Sequence, residues 1–371
     1  MTTDISKKSV ELHIIHSFPA TNLNRDDTGN PKDCVFGGAH RLRVSSQCFK
    51  RAIRHQPVFQ ATTEVENGER TKRLIETIAK GLQKSSKDEA KNKDLATKFV
   101  TAVYSKLDAK RPDLTAVLLY VSPTEINWAV DNLEKAKSDE DVAKCAAELT
   151  KIFAKRTTSA PDIALFGRML AEHPDSNIDA ACQLAHAIST HTVKTETDFY
   201  TAVDDLKPED TAGADMIGTI AFGSACYYRY ARLDWKKLVE NLNGNIELAE
   251  KTVKAFLLAS EAANPSGMGN SHDNNTRPQF LLAVVRDDSK GSPWSLVNAF
   301  EKPIFSRDGY VNTSIERLEC YWQGMTEFYG SDSLKTIAVA AHPGVELGEA
   351  FTKAKVNSLN DWVNAIVQGL K

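Results

Sequence analysis

Residues 32–54 change from a strand pattern to a helix pattern within a few positions, and this change limits the fold that the chain can adopt. Polar and apolar side chains alternate from Arg41 to Val44, as they do in a half-buried strand. Ser45 or Ser46 then offers a side chain that can cap the helix that follows. A strand that leads directly into a helix, in a chain with further patterns of both kinds, predicts an α+β fold.

The helix of this segment has a polar stripe that contains cations and no acid. Its members follow the spacing i, i+3, i+4 and i+7 and are Gln47, Lys50, Arg51 and Arg54. Like charges at this spacing destabilise an isolated helix by roughly 0.2–0.5 kcal/mol per pair, so the stripe is expected to face an anion. A solvated basic face is the alternative for such a helix taken alone.

The strand before the helix favours the anion site. Arg41 and Arg43 are expected to form a cationic face, with Leu42 and Val44 on the apolar side. Residues 32–54 contain six Lys or Arg residues and one acid, a balance of +5 in a chain whose net charge is −3. Because the N–H groups at the start of a helix also suit phosphate, the simplest ligand that fits is a repeating phosphate backbone.

The whole chain argues against several other classes of protein. At 371 residues it is expected to contain two or three subdomains, and no apolar run approaches the ~20 residues of a membrane span. The amino terminus lacks the apolar segment of a signal peptide, so a cytoplasmic location without membrane contact is expected. The six cysteines form no Cys-x-x-Cys pair and are expected to be reduced, mostly buried thiols. Neither a phosphate-binding loop nor a His-Glu-x-x-His motif occurs, so no catalytic residue, metal site or cofactor is predicted.

Periodicity divides the rest of the chain into strands and helices. A strand is predicted over residues 10–18, with a long polar loop after it, and a helical insert over 71–166. A helix is predicted over 181–189, and extended arms within 190–234 flank a polar tip at 207–214, which indicates a protruding hairpin. Downstream, the predictions are a helix over 245–262, a Gly/Asn-rich loop over 267–278, a strand over 279–286 and helices over 293–299, 314–329 and 359–370.

Three groups of residues could carry chemistry or bind bases, and a structural role is the better interpretation of each. His13 and His16 are three apart on a strand and hence on opposite faces, which favours core or edge positions over a joint metal site. The acids after the first strand could bind a divalent ion but are more often solvated or ion-paired; they are Asp26, Asp27 and Asp33. An aromatic and basic run could stack bases but is more often core; it comprises Tyr227, Tyr228, Arg229, Tyr230 and Arg232.

Eight short motifs occur in order between the first strand and about residue 321. They are Asn-Leu-Asn-Arg-Asp-Asp (22–27), Lys-Asp-x-Val-Phe-Gly-Gly (32–38), Arg-Val-Ser-Ser-Gln-x-x-Lys-Arg-Ala-x-Arg (43–54), Asp-Ile-Ala-Leu-x-Gly-Arg-Met (162–169), Ala-His-Ala-Ile-x-Thr-His (185–191), Phe-x-Thr-Ala-Val-Asp-Asp-Leu (199–206), Tyr-Arg-Tyr-Ala (228–231) and Asn-Ala-Phe-Glu-Lys (298–302). Together they resemble the backbone subunit of the type I-E CRISPR surveillance complex, Cascade.

The resemblance implies a hand-like architecture. A palm of the RNA-recognition-motif or ferredoxin-like type would comprise residues 1–57 and 181–371, with helical fingers inserted at 58–180 and a thumb hairpin at about 193–225. Copies of the subunit would stack head to tail along the guide RNA (crRNA), and each thumb would displace one nucleotide at regular intervals. The remaining guide bases would pair with target DNA, and other Cascade subunits would be partners.

The resemblance also implies roles for particular residues. Guide phosphates would be bound by Gln47, Lys50, Arg51 and Arg54, flanked by Lys32, and the strand pattern adds Arg41 and Arg43. Met169 would wedge beside a displaced nucleotide, with simple core packing as its alternative. Residues 266–270 depart from the small-Lys-Gln loop of relatives, which puts an RNA contact by a lysine there in doubt.

Two alternative functions belong to the same superfamily. One is a metal-dependent backbone subunit that cleaves RNA, in which a loop aspartate, Asp26, Asp27 or Asp33, would act. The other is a guide-processing ribonuclease with His13 or His16 as the base.

Overall fold

The computed structural model describes residues 7–170, 172–202 and 216–371, and these residues form the α+β fold that the sequence predicts. The strands are β1 (Lys8–Thr21), β2 (Asp33–Phe36), β3 (Ala39–Val44), β4 (Glu69–Thr71), β5 (Leu119–Val121), β6 (Cys182–Leu184), β7 (Ala187–Ser189), β8 (Glu196–Ala202), β9 (Met216–Asp234), β10 (Phe280–Asp287) and β11 (Leu334–Ala341). Nine of them form one antiparallel sheet with the order β11-β10-β1-β9-β7-β3-β2, in which β6 and β8 also pair with β9. The remaining two, β4 and β5, form a separate antiparallel pair.

Helices cover both faces of the large sheet. They are α1 (Ser46–Arg54), α2 (Pro57–Thr63), α3 (Leu74–Leu82), α4 (Glu89–Val103), α5 (Pro123–Leu133), α6 (Asp139–Phe153), α7 (Pro161–Phe166), α8 (Trp235–Asn241), α9 (Ile246–Ala262), α10 (Val311–Tyr329), α11 (Glu349–Lys353) and α12 (Leu359–Gly369). The helices predicted near residues 245–262, 314–329 and 359–370 are confirmed as α9, α10 and α12.

The central strand β1 separates two hydrophobic cores because successive side chains point to opposite faces of a sheet. Leu12 and Ile14 lie in the core that contains Phe256, whereas Ile15 lies in the core that contains Trp322. Nearly the whole of β1 is therefore buried, and the strand predicted there is confirmed and is longer at both ends.

Helices α3 to α6 enclose a hydrophobic core of their own. Ile78, Phe99, Leu133 and Phe153 are buried in this core, which is separate from the two cores of the sheet. In contrast, α2 and α7 pack with the sheet, because Phe59 and residues of α7 lie in the core around Phe256. The boundaries of palm, fingers and thumb stay a prediction.

The hairpin β8–β9 supplies the two extended arms that the sequence predicts. Its register pairs Glu196 with Phe222 and Ala202 with Met216, and every residue of β8 is exposed. The predicted polar tip, residues 207–214, lies outside the described residues.

Two predictions of local structure are wrong. Residues 181–189 form the short strands β6 and β7 instead of a helix, because both pair with the 19-residue strand β9 and tertiary pairing outweighs local propensity. In the segment 293–299 the structure has only a 3₁₀ helix, Val297–Phe300. The sequence analysis does not predict strand β11.

The cysteines are all free thiols, as expected, but they are less buried than expected. Cys182 and Cys226 are buried, Cys320 is exposed, and the other three are half-buried. In the described ranges, no helix has both the length and the apolar character needed to cross a membrane.

Candidate nucleic-acid interface

The amino end of α1 is fixed by the loop that follows β1. Ser45 is the cap residue, since its side chain accepts a hydrogen bond from the Cys48 amide at 3.3 Å. The Ser45 amide in turn donates to Oδ1 of Asn24 at 2.9 Å, and the Cys48 thiol donates to the Leu23 carbonyl at 3.8 Å. The predicted cap is therefore confirmed, and the cap itself is held by residues 23–24.

Four cations on and beside α1 have no neutralising acid among the described residues. Arg51 is exposed, and Lys32, Arg43 and Lys50 are partly exposed. Within residues 7–170, 172–202 and 216–371, none of these four side chains forms an ion pair with a carboxylate. The exposed amide of Gln47 lies on the same helix. The surface made by these five residues, called the basic face below, therefore keeps its positive charge uncompensated.

The basic face combines elements that are distant in sequence. The Arg43 amide donates to the Lys32 carbonyl at 2.9 Å, which places the loop before β2 beside β3. Burial raises the pKa of the Cys48 thiol, while the nearby charges of Lys32 and Arg51 oppose that rise. The loop before β2 and helix α1 thus place their cations, Lys32 and Arg51, on one surface.

Arg41 is not part of the basic face, and the prediction that its side chain lies on a cationic outer face is wrong. Its side chain is fully buried, and its guanidinium donates to the carbonyl oxygens of Ser189 at 2.8 Å and Phe300 at 2.9 Å. A third bond, 3.2 Å long, goes to the Glu301 carbonyl. The alternation of β3 placed Arg41 on an outer face, but residues 300–301 cover that face, so the guanidinium links the hairpin β2–β3 to them.

Arg54 is also buried, so the prediction that it belongs to an exposed basic stripe is wrong as well. Its Nε donates to Oδ2 of Asp162 at 3.0 Å, and its Nη2 donates to the Gly68 carbonyl. Tyr120 completes the cluster, because its hydroxyl donates to Asp162 at 2.6 Å and its ring lies 4.6 Å from the guanidinium carbon. The last turn of α1 is therefore covered by α7 and by the strand pair β4–β5, and Arg54 holds these elements together.

Lys50 lies at the border between the basic face and α7. Its Nζ is 5.6 Å from the centre of the Phe166 ring, a cation–π distance. Phe166 is the last residue of α7, and Met169 follows three residues later. The contact therefore connects the basic face to the segment that carries Met169.

Met169 is 86% exposed, which excludes the core-packing alternative. The neighbouring residues form a rigid frame around it. Gly167 has φ +77°, and a Cβ there would collide with the Ile178 carbonyl, so only glycine fits. On the other side Leu170 is buried, and its amide donates to Oδ1 of Asn177.

Arg168, the residue before Met169, is the strongest part of this frame. Its Nη1 lies 2.7 and 2.9 Å from the two carboxylate oxygens of Glu125, and its Nε donates to the Ser176 carbonyl at 2.9 Å. Both charged side chains are almost fully buried. The chain thus presents one exposed thioether on a fixed support.

His186 also belongs to this cluster, although the sequence analysis assigns it no function. Its Nδ1 accepts a hydrogen bond from Nη1 of Arg43 at 3.1 Å, and the imidazole is exposed. Local periodicity could not have placed it there, because β6 and β7 have three residues each and are formed by pairing with β9.

His13 and His16 are core residues, as the sequence favours. The Nδ1 of His13 lies 2.8 Å from the Tyr228 hydroxyl, and Nε2 of His16 lies 3.0 Å from Oγ1 of Thr276. Complete burial lowers the pKa of His13 to about 3 and holds the pKa of His16 well below its usual value. Both rings are inaccessible to an RNA backbone, and the aromatic run around Tyr228 is likewise mostly buried.

Asp26 organises its own loop. Its Oδ1 accepts hydrogen bonds from the Thr28 amide at 2.9 Å, the Thr28 hydroxyl at 2.8 Å and the Asn30 amide at 2.9 Å. Asp33 lies 3.7 Å from Nδ1 of His40. Among the residues that the structure describes, no group of three or more potential metal ligands comes together.

The loop over 267–278 packs against the loop that holds the helix cap. A Cβ on Gly267 would collide with the carbonyl oxygens of Asn22 and Leu23, so the departure from the family pattern fits a close backbone contact. The loop thus supports residues 22–24, which position Ser45.

Comparison with known proteins connects this geometry to one group. A family model described as CT1975-like protein (Cas_CT1975) matches residues 10–365. A subunit of a structure titled "CRISPR RNA-guided surveillance complex, pre-nicking" is 31% identical with a TM-score of 0.86, and the match covers 98% of this chain and 100% of that chain. A second structure, titled "CRISPR RNA-guided surveillance complex", is 28% identical with a TM-score of 0.74, covering 97% and 99%. Among curated proteins, no sequence matches this chain. The resemblance to surveillance-complex subunits that the motifs indicate is therefore confirmed.

Proposed function

The chain belongs to the Cas_CT1975 family of CT1975-like proteins, and from that premise we propose that it is a non-catalytic, crRNA-binding backbone subunit of a type I-E CRISPR Cascade complex. Its partners in this proposal are the guide RNA, further copies of itself in a head-to-tail filament, the other Cascade subunits and, through the guide, target DNA. Similarity over the whole length to chains of RNA-guided surveillance complexes supports it.

The observation that carries the proposal is the uncompensated charge of the basic face. Lys50 and Arg51 project from the middle and the last turn of α1, and Lys32 and Arg43 flank them without an acidic partner in the described residues. A subunit that binds every guide in the same way needs contacts to phosphate and sugar, because these carry no sequence information. Met169 adds an apolar side chain on a rigid support, which suits insertion beside a displaced base.

Sequence-independent binding of single-stranded RNA tests this function. The purified chain is expected to bind guide-length RNAs of unrelated sequence with equal affinity, and affinity should fall steeply with salt. Nuclease protection at regular intervals should appear once copies assemble on the RNA. Failure to bind RNA at low salt, or binding that depends on one sequence, would contradict the proposal.

Deletion of residues 207–214 tests the assembly part separately. The arms β8 and β9 are paired and β8 is exposed throughout, so the palm should keep its circular dichroism spectrum and melting temperature. Ordered stacking on a long guide RNA, measured by sizing, should be lost. Full-length filaments of the deleted protein would show that the hairpin does not join neighbouring copies.

Cleavage assays with and without magnesium test the two catalytic alternatives. We expect no hydrolysis of RNA or DNA, because His13 and His16 are buried and Oδ1 of Asp26 already accepts three hydrogen bonds. Magnesium-dependent cutting that disappears in Asp26→Ala, Asp27→Ala or Asp33→Ala would favour the RNA-cleaving subunit instead.

A further inference from the structure

His186 lies where a binding residue for RNA is expected, between the short strands β6 and β7 and against β3. Its Nδ1 accepts the hydrogen bond from Arg43 at 3.1 Å, so the neutral imidazole carries its proton on Nε2. The side chain is exposed, and its remaining nitrogen is free to donate outside the protein. The basic face therefore has beside it a sixth group that can bind an anion.

The charges that face His186 are positive. Partial burial lowers the pKa of His186, and the charges of Arg43 on β3 and Lys32 on the adjoining loop lower it further. The nearest titratable groups on β2 are Asp33, which faces His40, and Cys34, whose thiol is kept neutral by a raised pKa. Without a bound anion, the imidazole is thus held neutral by its neighbours.

We propose that His186 is a further RNA-contacting residue, which binds a phosphate oxygen through Nε2 and takes up a proton from solvent when RNA binds. This inference rests on the proposed function. Partial burial and the charges of Arg43 and Lys32 keep the imidazole neutral, and a phosphate placed among the three side chains offsets the effect of these charges. Nδ1 then gains the proton, its bond from Arg43 is lost, and both side chains become free to donate to the RNA.

The sign of the pH dependence follows from linkage. If RNA raises the pKa of His186, the complex holds more protons than the free protein between the free and bound pKa values. Affinity therefore increases as pH falls through the bound pKa, by at most about tenfold per pH unit for one proton, and levels off below the free pKa.

Calorimetric titration of single-stranded RNA into the full chain measures this proton directly. Titrations at pH 6.5 in two buffers of different ionisation enthalpy give the number of protons taken up per copy. Wild type is expected to take up a fraction of a proton, and His186→Gln, which keeps a donor but cannot titrate, should abolish this uptake while the protein still binds. His40→Gln is the matched control, since His40 is exposed on the same hairpin region and faces Asp33.

The outcomes separate this inference from the function on which it rests. Absence of RNA binding by wild type would contradict the proposed function, whereas binding without proton uptake contradicts only the role of His186. His55, at the end of α1, also faces Arg51 and Arg54. Uptake that survives His186→Gln and disappears in His55→Gln would overturn the proposal.

Discussion

The basic face and the helical insert both carry several cations, but they differ in how many of these cations pair with acids. In the insert, Lys98 lies 2.7 Å from Asp94 and also 2.7 Å from Asp139. Other cations of the insert that pair with nearby acids are Lys72, Arg73 and Lys80. On the basic face, no described acid pairs with Lys32, Arg43, Lys50 or Arg51. The two regions therefore differ in that several cations of the insert have an acidic partner, whereas none of the four on the basic face has one among the described residues.

The largest predicted effect concerns Arg54. This residue belongs to the cation-rich segment 32–54, but it forms an ion pair as several cations of the insert do. Arg54→Ala leaves the buried Asp162 carboxylate without its partner, so unfolding free energy should fall by about 3–5 kcal/mol. Chemical denaturation measures this loss. Arg51→Ala, three residues earlier and exposed, is the control and should change stability by no more than about 0.5 kcal/mol. Equal stability of the two variants would show that Arg54 is not a structural cation.

The second prediction compares cations of the two regions in RNA binding. Replacing Lys50 or Arg51 by Ala should lower the salt slope of single-stranded RNA binding by about 0.7–1, since under the proposed function each would neutralise one phosphate. Lys80→Ala removes a surface cation of the insert that pairs with Glu76 at 2.7 Å and should leave the slope unchanged. Affinity measured between low and moderate salt gives both slopes. Equal salt slopes for all three variants would show that paired and unpaired cations contribute alike to RNA binding.

The smallest predicted effect concerns the support that the helical insert gives to the segment around Met169. Glu125 on α5 both holds Arg168 and receives the Ser122 amide in the helix cap. Glu125→Gln removes the charge that fixes the Met169 frame, whereas Ser122→Ala disturbs the same cap and leaves the ion pair intact. Overall affinity should change by less than about twofold, since a frame residue makes no phosphate contact.

Fluorescence of 2-aminopurine, scanned along the guide, reports the displaced nucleotide. Its regular maxima should weaken in Met169→Ala and Glu125→Gln and persist in Ser122→Ala, at a temperature at which melting curves show all three proteins folded. Unchanged maxima in Met169→Ala would show that Met169 does not act as a wedge. Unchanged maxima in Glu125→Gln alone would show that the wedge does not depend on the pair of Glu125 and Arg168.

Local periodicity predicted those elements whose pattern matches their burial. Strand β1 and helices α9, α10 and α12 were found because each has a period that its own packing satisfies. Strands β6 and β7 are three residues each, too short for a period, and they exist because β9 is long enough to pair with both. Pairing partners that are 38 to 51 residues away leave no mark on so short a segment.

The sequence alone determined the α+β class, a helix cap at Ser45 or Ser46 and the stripe that contains Arg51 and Arg54, because caps and helix periods depend on residues a few positions apart. Only the tertiary structure decided that Arg51 remains exposed while Arg54 is buried against Asp162, which is 108 residues away. The helix period places both side chains on one face and cannot show which part of that face another segment covers. For the same reason, the sequence could not show that Arg41 is buried, that Met169 is exposed or that His186 lies beside Arg43.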